Sequence, residues 1–293
     1  LTLGKAESPL TPDPKAEFQA ALQTFVSGLN SYTELEDRQW TVKGFIDAYK
    51  KIYTISSDTK IVSKILEIHI FPELLRFAEN SGFQIILAEH QNYYPDLTFV
   101  SVTDPAIKFA VDLKTTFRTV EKPGYCNGFT LGSHGEYFTD RTSTKNIQFP
   151  YSQYLAHFCL GIIYDRALKT DVDETKIFAI EQLTSITSVI SNLQFFVSEK
   201  WRIASDKSGS GNTANIGSIN HIEEIVNGRG MFTVLGENWF DDYWMNYGSI
   251  TITAPAGVTK KITSLEEFVS YRGGDVSKIH HKHGSRKRAS ADE

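Results

Sequence analysis

Three short apolar runs rich in β-formers, Phe83 to Leu87, Leu97 to Val102 and Ile107 to Leu113, follow one another with Pro95 and Pro105 between them. Proline has no amide hydrogen to give a sheet ladder, so each one closes a run, and the three read as a meander of strands. Just upstream the period changes. Ile61, Val62, Ile65, Leu66 and Ile68 recur at helical spacing behind Asp58, whose side chain can cap the first turn, and Leu74 to Ala78 carry the pattern to Ser81-Gly82. Pro72 is expected to kink or break this helix. A helix feeding a group of strands excludes an all-helical bundle.

The rest of the chain fits around that centre. Pro9, Pro12 and Pro14 mark residues 1–15 as a loose lead-in, and Ala16 to Leu29 has a helical period at Phe18, Ala21, Leu22, Phe25 and Leu29. Phe129 to Leu131 and Tyr137-Phe138 read as further strands, Tyr151 to Tyr164 as a buried helix, and Lys176 to Ile180 and Leu193 to Val197 as strands. Ser208 to Ser218, rich in Gly, Ser and Asn, reads as a loop, Phe240 to Tyr247 as an aromatic helix, and Ile250 to Thr253 as a short strand. The expected class is α/β of the mixed α+β kind, a central mixed sheet flanked by helices. Residues 16–250 form one domain in this reading, and 251–293 a C-terminal segment with a basic polar tail from His280 to Arg288.

Among 293 residues, 30 Lys and Arg stand against 35 Asp and Glu, for a net charge of −5. That excludes a uniformly basic coat, but a locally positive cleft and clustered carboxylates that hold a cation both remain compatible with it. Cys126 and Cys159 have no CxxC neighbour and make no disulfide framework, so two free thiols in a reducing cytoplasm are expected. No apolar run approaches the roughly 20 residues of a membrane helix, and Leu1 to Lys15 has no apolar core of the secretory kind, so the expected location is cytoplasmic.

Chemistry concentrates in two segments. In Ala110-Val111-Asp112-Leu113-Lys114 the strand alternation puts Asp112 and Lys114 on one face with Val111 and Leu113 behind. If Asp96 of Tyr94-Pro95-Asp96 opens the neighbouring strand, its carboxylate comes beside Asp112. Two carboxylates and a lysine form an oxygen-rich site suited to Mg²⁺, which keeps several waters for a phosphate and a nucleophile. Glu67, on the upstream helix, is either a further ligand or a surface partner of a nearby lysine. The second segment, Lys207 to Ser218, contains Gly209, Ser210, Gly211, Asn212, Thr213 and Asn215. Glycines allow close backbone approach and the amides and hydroxyls can bond base edges, although a plain surface loop has the same composition. It lacks the GxxxxGK[ST] order of a nucleotide-binding loop. His90, Gln91 and Asn92 can contact a groove or cap strand ends. His69, His134, His157 and His221 read as structural.

The order of these segments resembles the EcoRV-like type II restriction endonucleases of the PD-(D/E)xK nuclease superfamily. The resemblance runs from about Ile52 to Tyr247 through Ser57-Asp58-Thr59-Lys60, Gln91-Asn92-Tyr93-Tyr94-Pro95-Asp96, Val111-Asp112-Leu113-Lys114-Thr115-Thr116 and Phe129-Thr130-Leu131-Gly132. It continues through Thr144-Lys145-Asn146-Ile147, Gln153-Tyr154-Leu155-Ala156-His157, Gly209-Ser210-Gly211-Asn212-Thr213 and Asp242-Tyr243-Trp244. The acidic pair with its lysine is shared by many nucleases, whereas the GSGNT loop in this order is far more specific.

The resemblance implies a restriction-endonuclease-like core and a homodimer that grips duplex DNA, each subunit cutting one strand with Mg²⁺. It further implies that Asp96 and Asp112 ligate the metal, that Lys114 orients or activates water and stabilises phosphate charge, and that Glu67 is an accessory metal ligand. Gly209, Ser210, Gly211, Asn212, Thr213 and Asn215 would read the major groove, His90, Gln91 and Asn92 would lie near the minor groove, and Lys145 would be coupled to DNA contact. The implied site is GATATC, cut bluntly at its centre, with a cognate methyltransferase protecting the host DNA. Two departures fall on the groove-facing loops: His90 stands where the family has glutamine, and Ala214 where it has threonine. The competing readings are a repair or junction nuclease with the same core, and a sequence-specific DNA-binding protein without catalysis.

Overall fold

The computed structural model describes residues 13–90, 92–168, 170, 172–209, 214–253 and 259–280. In chain order the helices are α1 (Pro14–Ser27), α2 (Asn30–Thr33), α3 (Thr59–Asn80), α4 (Glu136–Thr139), α5 (Ile222–Val226), α6 (Glu237–Met245) and α7 (Leu265–Tyr271). A small sheet is made of β1 (Gly44–Ile46), β2 (Lys51–Thr54) and β8 (Ile177–Ala179). The central sheet has the order β3 (Phe83–Leu87), β4 (Leu97–Ser101), β5 (Lys108–Phe117), β7 (Ala156–Arg166), β9 (Ile190–Glu199). A third sheet joins β6 (Thr130–Ser133), β11 (Asn215–Ser218) and β10 (Ala204–Ser208), and β12 (Thr251–Thr253) pairs with β13 (Thr259–Lys261).

The expected meander is present: β3, β4 and β5 are successively antiparallel, and β5 then runs parallel to β7. The central sheet is thus mixed, with a core on each face. On one side Phe18 and Leu22 of α1 and Leu66, Ile70 and Leu74 of α3 pack on Phe99, Phe109, Val111 and Leu160. On the other, Ala110, Cys159 and Phe196 meet Phe138, Ile203, Ile216, Phe240 and Trp244. Ile262, Leu265, Phe268 and Val269, from the C-terminal segment, are buried in this second core.

Several expectations are corrected by the structure. Pro14 does not belong to a helix-breaking lead-in but opens α1, where its missing amide hydrogen is not needed and Asp13 caps Lys15. Pro72 does not break α3, which runs from its Asp58 cap to Asn80. The burial of Val62, Leu66, Ile70, Leu74 and Phe77 along one stripe offsets the lost hydrogen bond. Tyr137 and Phe138 lie in the short helix α4, not in a strand. The loop expected over Ser208 to Ser218 is shorter, because β10 reaches Ser208 and β11 begins at Asn215.

The largest correction is Tyr151 to Tyr164, which forms a 3₁₀ turn at Tyr151–Gln153 followed by β7 rather than a buried helix. A strand covered on both faces is apolar throughout, so its period resembles that of a buried helix. Gly161 explains part of the choice. A Cβ there would lie 2.0 Å from the Phe196 ring, so the bare backbone lets β9 close against β7. Gly161→Ala is expected to lower stability by about 1–3 kcal/mol through this overpacking. Chemical denaturation followed by circular dichroism measures it, and an unchanged midpoint contradicts the packing argument.

Candidate active site

The meander's register assembles the acidic centre. Leu97 pairs with Val111, which brings Asp96, just before β4, alongside Asp112 of β5. Asp96 Oδ2 accepts from the Leu113 amide at 2.8 Å, so the carboxylate is held by the neighbouring strand's backbone. Val111 and Leu113 lie in the core with α1 and α3, as the alternation requires, leaving Asp112 and Lys114 on the opposite face. Lys114 Nζ is 2.5 Å from Asp112 Oδ2 and 3.8 Å from Asp96 Oδ2.

The charges at this centre are unbalanced by one acid. Burial and the adjacent Asp112 charge push the Asp96 carboxyl up to about 7, against the pull of Lys114. Burial would also raise Asp112, but the Lys114 ammonium and the hydrogen bond shared with Asp96 hold it below the usual carboxylate range. Below about 7 the Asp96 carboxyl is therefore the protonated member of the pair, with Asp112 the ionised one. Burial works against the charge on Lys114, yet the two carboxylates raise its pKa and keep it an ammonium. The part of this rise that comes from the Asp112 charge is a repulsion that a bound cation would relieve. Two carboxylate oxygen donors, one of them partly exposed, fit a hard divalent ion that retains water.

Glu67 stands one step out. On α3 its Oε2 is 2.7 Å from Lys64 Nζ, and Lys64 also feels the charge of Asp96. Among the described residues no three His, Cys, Asp or Glu side chains converge as a metal cage. The structure brings Asp96, Asp112 and Lys114 together, while Glu67 pairs with Lys64 on α3.

The groove-facing residues fall in two places. Gly209 and Asn215 close the β10–β11 hairpin, the Gly209 amide donating to Asn215 O at 2.8 Å. Ala214 O accepts from His134, tying the hairpin to the end of β6. Ser210, Gly211, Asn212 and Thr213 lie outside the described residues, as does Gln91. His90 and Asn92 flank that second position, the His90 ring meeting Tyr93 edge-on at 4.7 Å. The segment of Lys145 runs beside them, because the Tyr94 amide donates to Asn146 O at 3.0 Å and Gln148 donates back to Tyr94 O at 2.9 Å. Lys145 Nζ lies 2.6 Å from Glu136 Oε2.

Sequence reasoning missed what lies behind the acids. Tyr94, Tyr137 and Tyr151 stack, Tyr151 stacks on His157 with centroids 3.6 Å apart, and Tyr94 Oη is 3.1 Å from His157 Nδ1. Burial, then the nearby cations Lys200 and Arg141, hold His157 well below its ordinary pKa, which agrees with its structural reading. Lys200 sits among these rings, and burial draws it down to about 7 although Asp112 favours its charge. One signal was present: Glu199 and Lys200 stand between the apolar residues Phe195 to Val197 and Trp201.

A family model described as restriction endonuclease EcoRV matches residues 36–273 of this chain. The type II restriction enzyme EcoRV of Escherichia coli is 39% identical to it over 213 residues, covering 72% of this chain and 84% of that enzyme. With the acidic pair and its lysine on adjacent strands of a mixed sheet, the chain belongs to the EcoRV restriction endonuclease family.

Proposed function

We propose that this chain is a type II site-specific deoxyribonuclease that hydrolyses both strands of duplex DNA, with Mg²⁺ as its ion and 5′-phosphate and 3′-hydroxyl products. The observation that carries this reading is the Asp96/Asp112 pair with Lys114 within 4 Å of both. Asp96 and Asp112 would hold the ion, which when bound polarises a phosphate oxygen and makes water easier to deprotonate. Lys114, beside both acids, would orient or activate the water and stabilise charge on the phosphate. Glu67 is an accessory ligand if Lys64 releases it. The β10–β11 hairpin with Gly209 to Thr213 and Asn215 would read the major groove, and His90, Gln91, Asn92 and Lys145 form the second contact. GATATC with a blunt central cut is the specific site, His90 and Ala214 being the positions where a different choice would arise.

Digestion of unmethylated bacteriophage DNA with Mg²⁺, followed by sequencing of the fragment ends, tests this reading. Ends sharing one palindrome support it and name the site. Ends with no common sequence point to a repair or junction nuclease, and DNA bound but left whole to a catalytically silent reader.

Assembly as a homodimer is supported by the small sheet. Phe45, Tyr53 and Ile177 are register neighbours across β1, β2 and β8, and are 56%, 41% and 55% exposed. Ile52 and Phe178, on the other face, are buried. A nuclease of this kind also calls for a methyltransferase acting on the same site, and for a cytoplasmic location. Among the described residues no helix is long and apolar enough to cross a membrane.

The shared proton gives a pH dependence with a definite sign. Below about 7 Asp96 is protonated, so cation uptake must expel a proton, and divalent-ion affinity rises with pH until it levels off above that value. Calorimetry in buffers of different ionisation enthalpy should show about one proton released per ion at pH 6 and less at pH 8. In the metal-free protein the folded state holds a proton on Asp96 that the unfolded chain has lost above about 3.9, so the contribution of Asp96 to stability falls as pH rises from 4 to 7. Equal proton release at both pH values contradicts the assignment.

A further inference from the structure

Lys200 follows the last residue of β9 and opens the 3₁₀ turn Lys200–Ile203 that leads into β10, so it stands where the central sheet hands over to the recognition hairpin. It is 3% exposed, and its Nζ has no hydrogen-bond partner among the described residues. Instead the nitrogen lies 5.0 Å from the ring centre of Tyr94, 5.1 Å from Phe138 and 5.6 Å from Tyr151. It is also 3.5 Å from the point a Cβ on Gly132 would occupy. These contacts come from separate parts of the machinery. Tyr94 is two residues before Asp96, Gly132 belongs to β6, which pairs with the hairpin strand β11, and Tyr151 stacks on His157 of β7, the strand that runs beside Asp112.

The neighbouring charge is treated differently. Glu199 is equally buried but is met by Lys15 at 2.5 Å, by Trp201 Nε1 at 2.9 Å and by Arg202 at 3.4 Å. Arg141, which shares the Phe138 and Tyr151 rings, has Asp241 at 2.7 Å. Lys200 lies in the field of Asp112 and Asp241, which favour its charge, and of Arg141 and Lys114, which oppose it, and it makes no ion pair with a carboxylate among the described residues. An unpaired buried ammonium destabilises a fold, and methionine would fill the same space without that cost.

We infer that Lys200 is a positioning residue whose buried amine ties the recognition hairpin to the Asp96/Asp112 pair, so that seating the hairpin on its DNA sequence is felt at the cleavage site. This rests on the nuclease reading above. Any shift of β10 and β11 carries Lys200 and Gly132 with it, and the amine then moves against Tyr94 and in the field of Asp112. Cation–π contacts and a long-range charge interaction tolerate such movement better than a fixed hydrogen bond.

Lys200→Met separates this role from a packing role. Single-turnover cleavage is measured on a duplex carrying the site mapped for the unaltered protein and on the same duplex with one base pair changed. Melting temperature, and affinity for both duplexes without added metal, are measured alongside. The expected variant melts no lower than the parent and binds both duplexes as before. It cleaves the mapped site at least about tenfold more slowly while the altered site changes little, so discrimination shrinks. Unchanged discrimination overturns the inference, as does a fall of both rates by one factor together with a lower melting temperature. If the parent protein leaves DNA whole, the nuclease reading itself fails, and this inference with it.

Discussion

Asp112→Ala is expected to remove DNA cleavage, by at least about a thousandfold, while sequence-specific binding survives. Asp112 is the more deeply buried of the two acids, is ionised, and is paired with Lys114 at 2.5 Å. Removing it takes away a charged oxygen donor and leaves Lys114 with only Asp96, 3.8 Å away. The strand itself survives, since Val111 and Leu113 supply its packing from the other face. The hairpin and the Lys145 segment are untouched, so affinity for the mapped duplex, read by fluorescence anisotropy, should stay within a few-fold of the parent. Loss of binding with residual cleavage would reverse the assigned roles. Salt adds a second check on the same binding curve. Phosphate contacts make affinity fall steeply with salt, whereas base contacts set the preference among sites.

A second large effect is expected from charging the small sheet. Tyr53→Asp combined with Ile177→Asp should separate the protein into folded monomers and suppress cutting of both strands in one encounter. Both side chains are on the exposed face, opposite buried Ile52 and Phe178, so the protomer should stay folded, with a modest fall in melting temperature from two like charges at paired positions and the lost Tyr53–Asp47 hydrogen bond. In a two-fold dimer each substitution acts twice. Losing about 1.5 kcal/mol or more per buried side chain weakens association by at least about a thousandfold. Sedimentation at micromolar protein reads the assembly state, and supercoiled plasmid distinguishes nicked from linear products. A double variant that remains dimeric and still linearises plasmid in one step would place the dimer contact elsewhere.

Much of the site was legible locally. The alternation in Ala110 to Lys114 alone sets Asp112 and Lys114 on one face, and Pro95 and Pro105 mark the strand ends that let β4 fold back on β5. Asp58 announces the start of α3 because a cap needs only the amides two and three residues ahead. These signals lie within a few residues of what they control, so one sequence contains them.

What the tertiary structure decided involves distant partners. Whether Tyr151 to Tyr164 is helix or strand depends on β5 and β9 covering both of its faces, and an apolar run does not record which neighbours will cover it. Pro72 survives inside α3 because the central sheet buries the stripe that spans it. Glu67 takes Lys64 as its partner, and Lys200 enters an aromatic box built from three separate segments. Strand direction, caps and the chemical groups of the cleavage site are written in short-range sequence. The depth at which each charge is buried, and so which acid keeps a proton and which cation goes unpaired, is set by contacts between residues far apart in the chain.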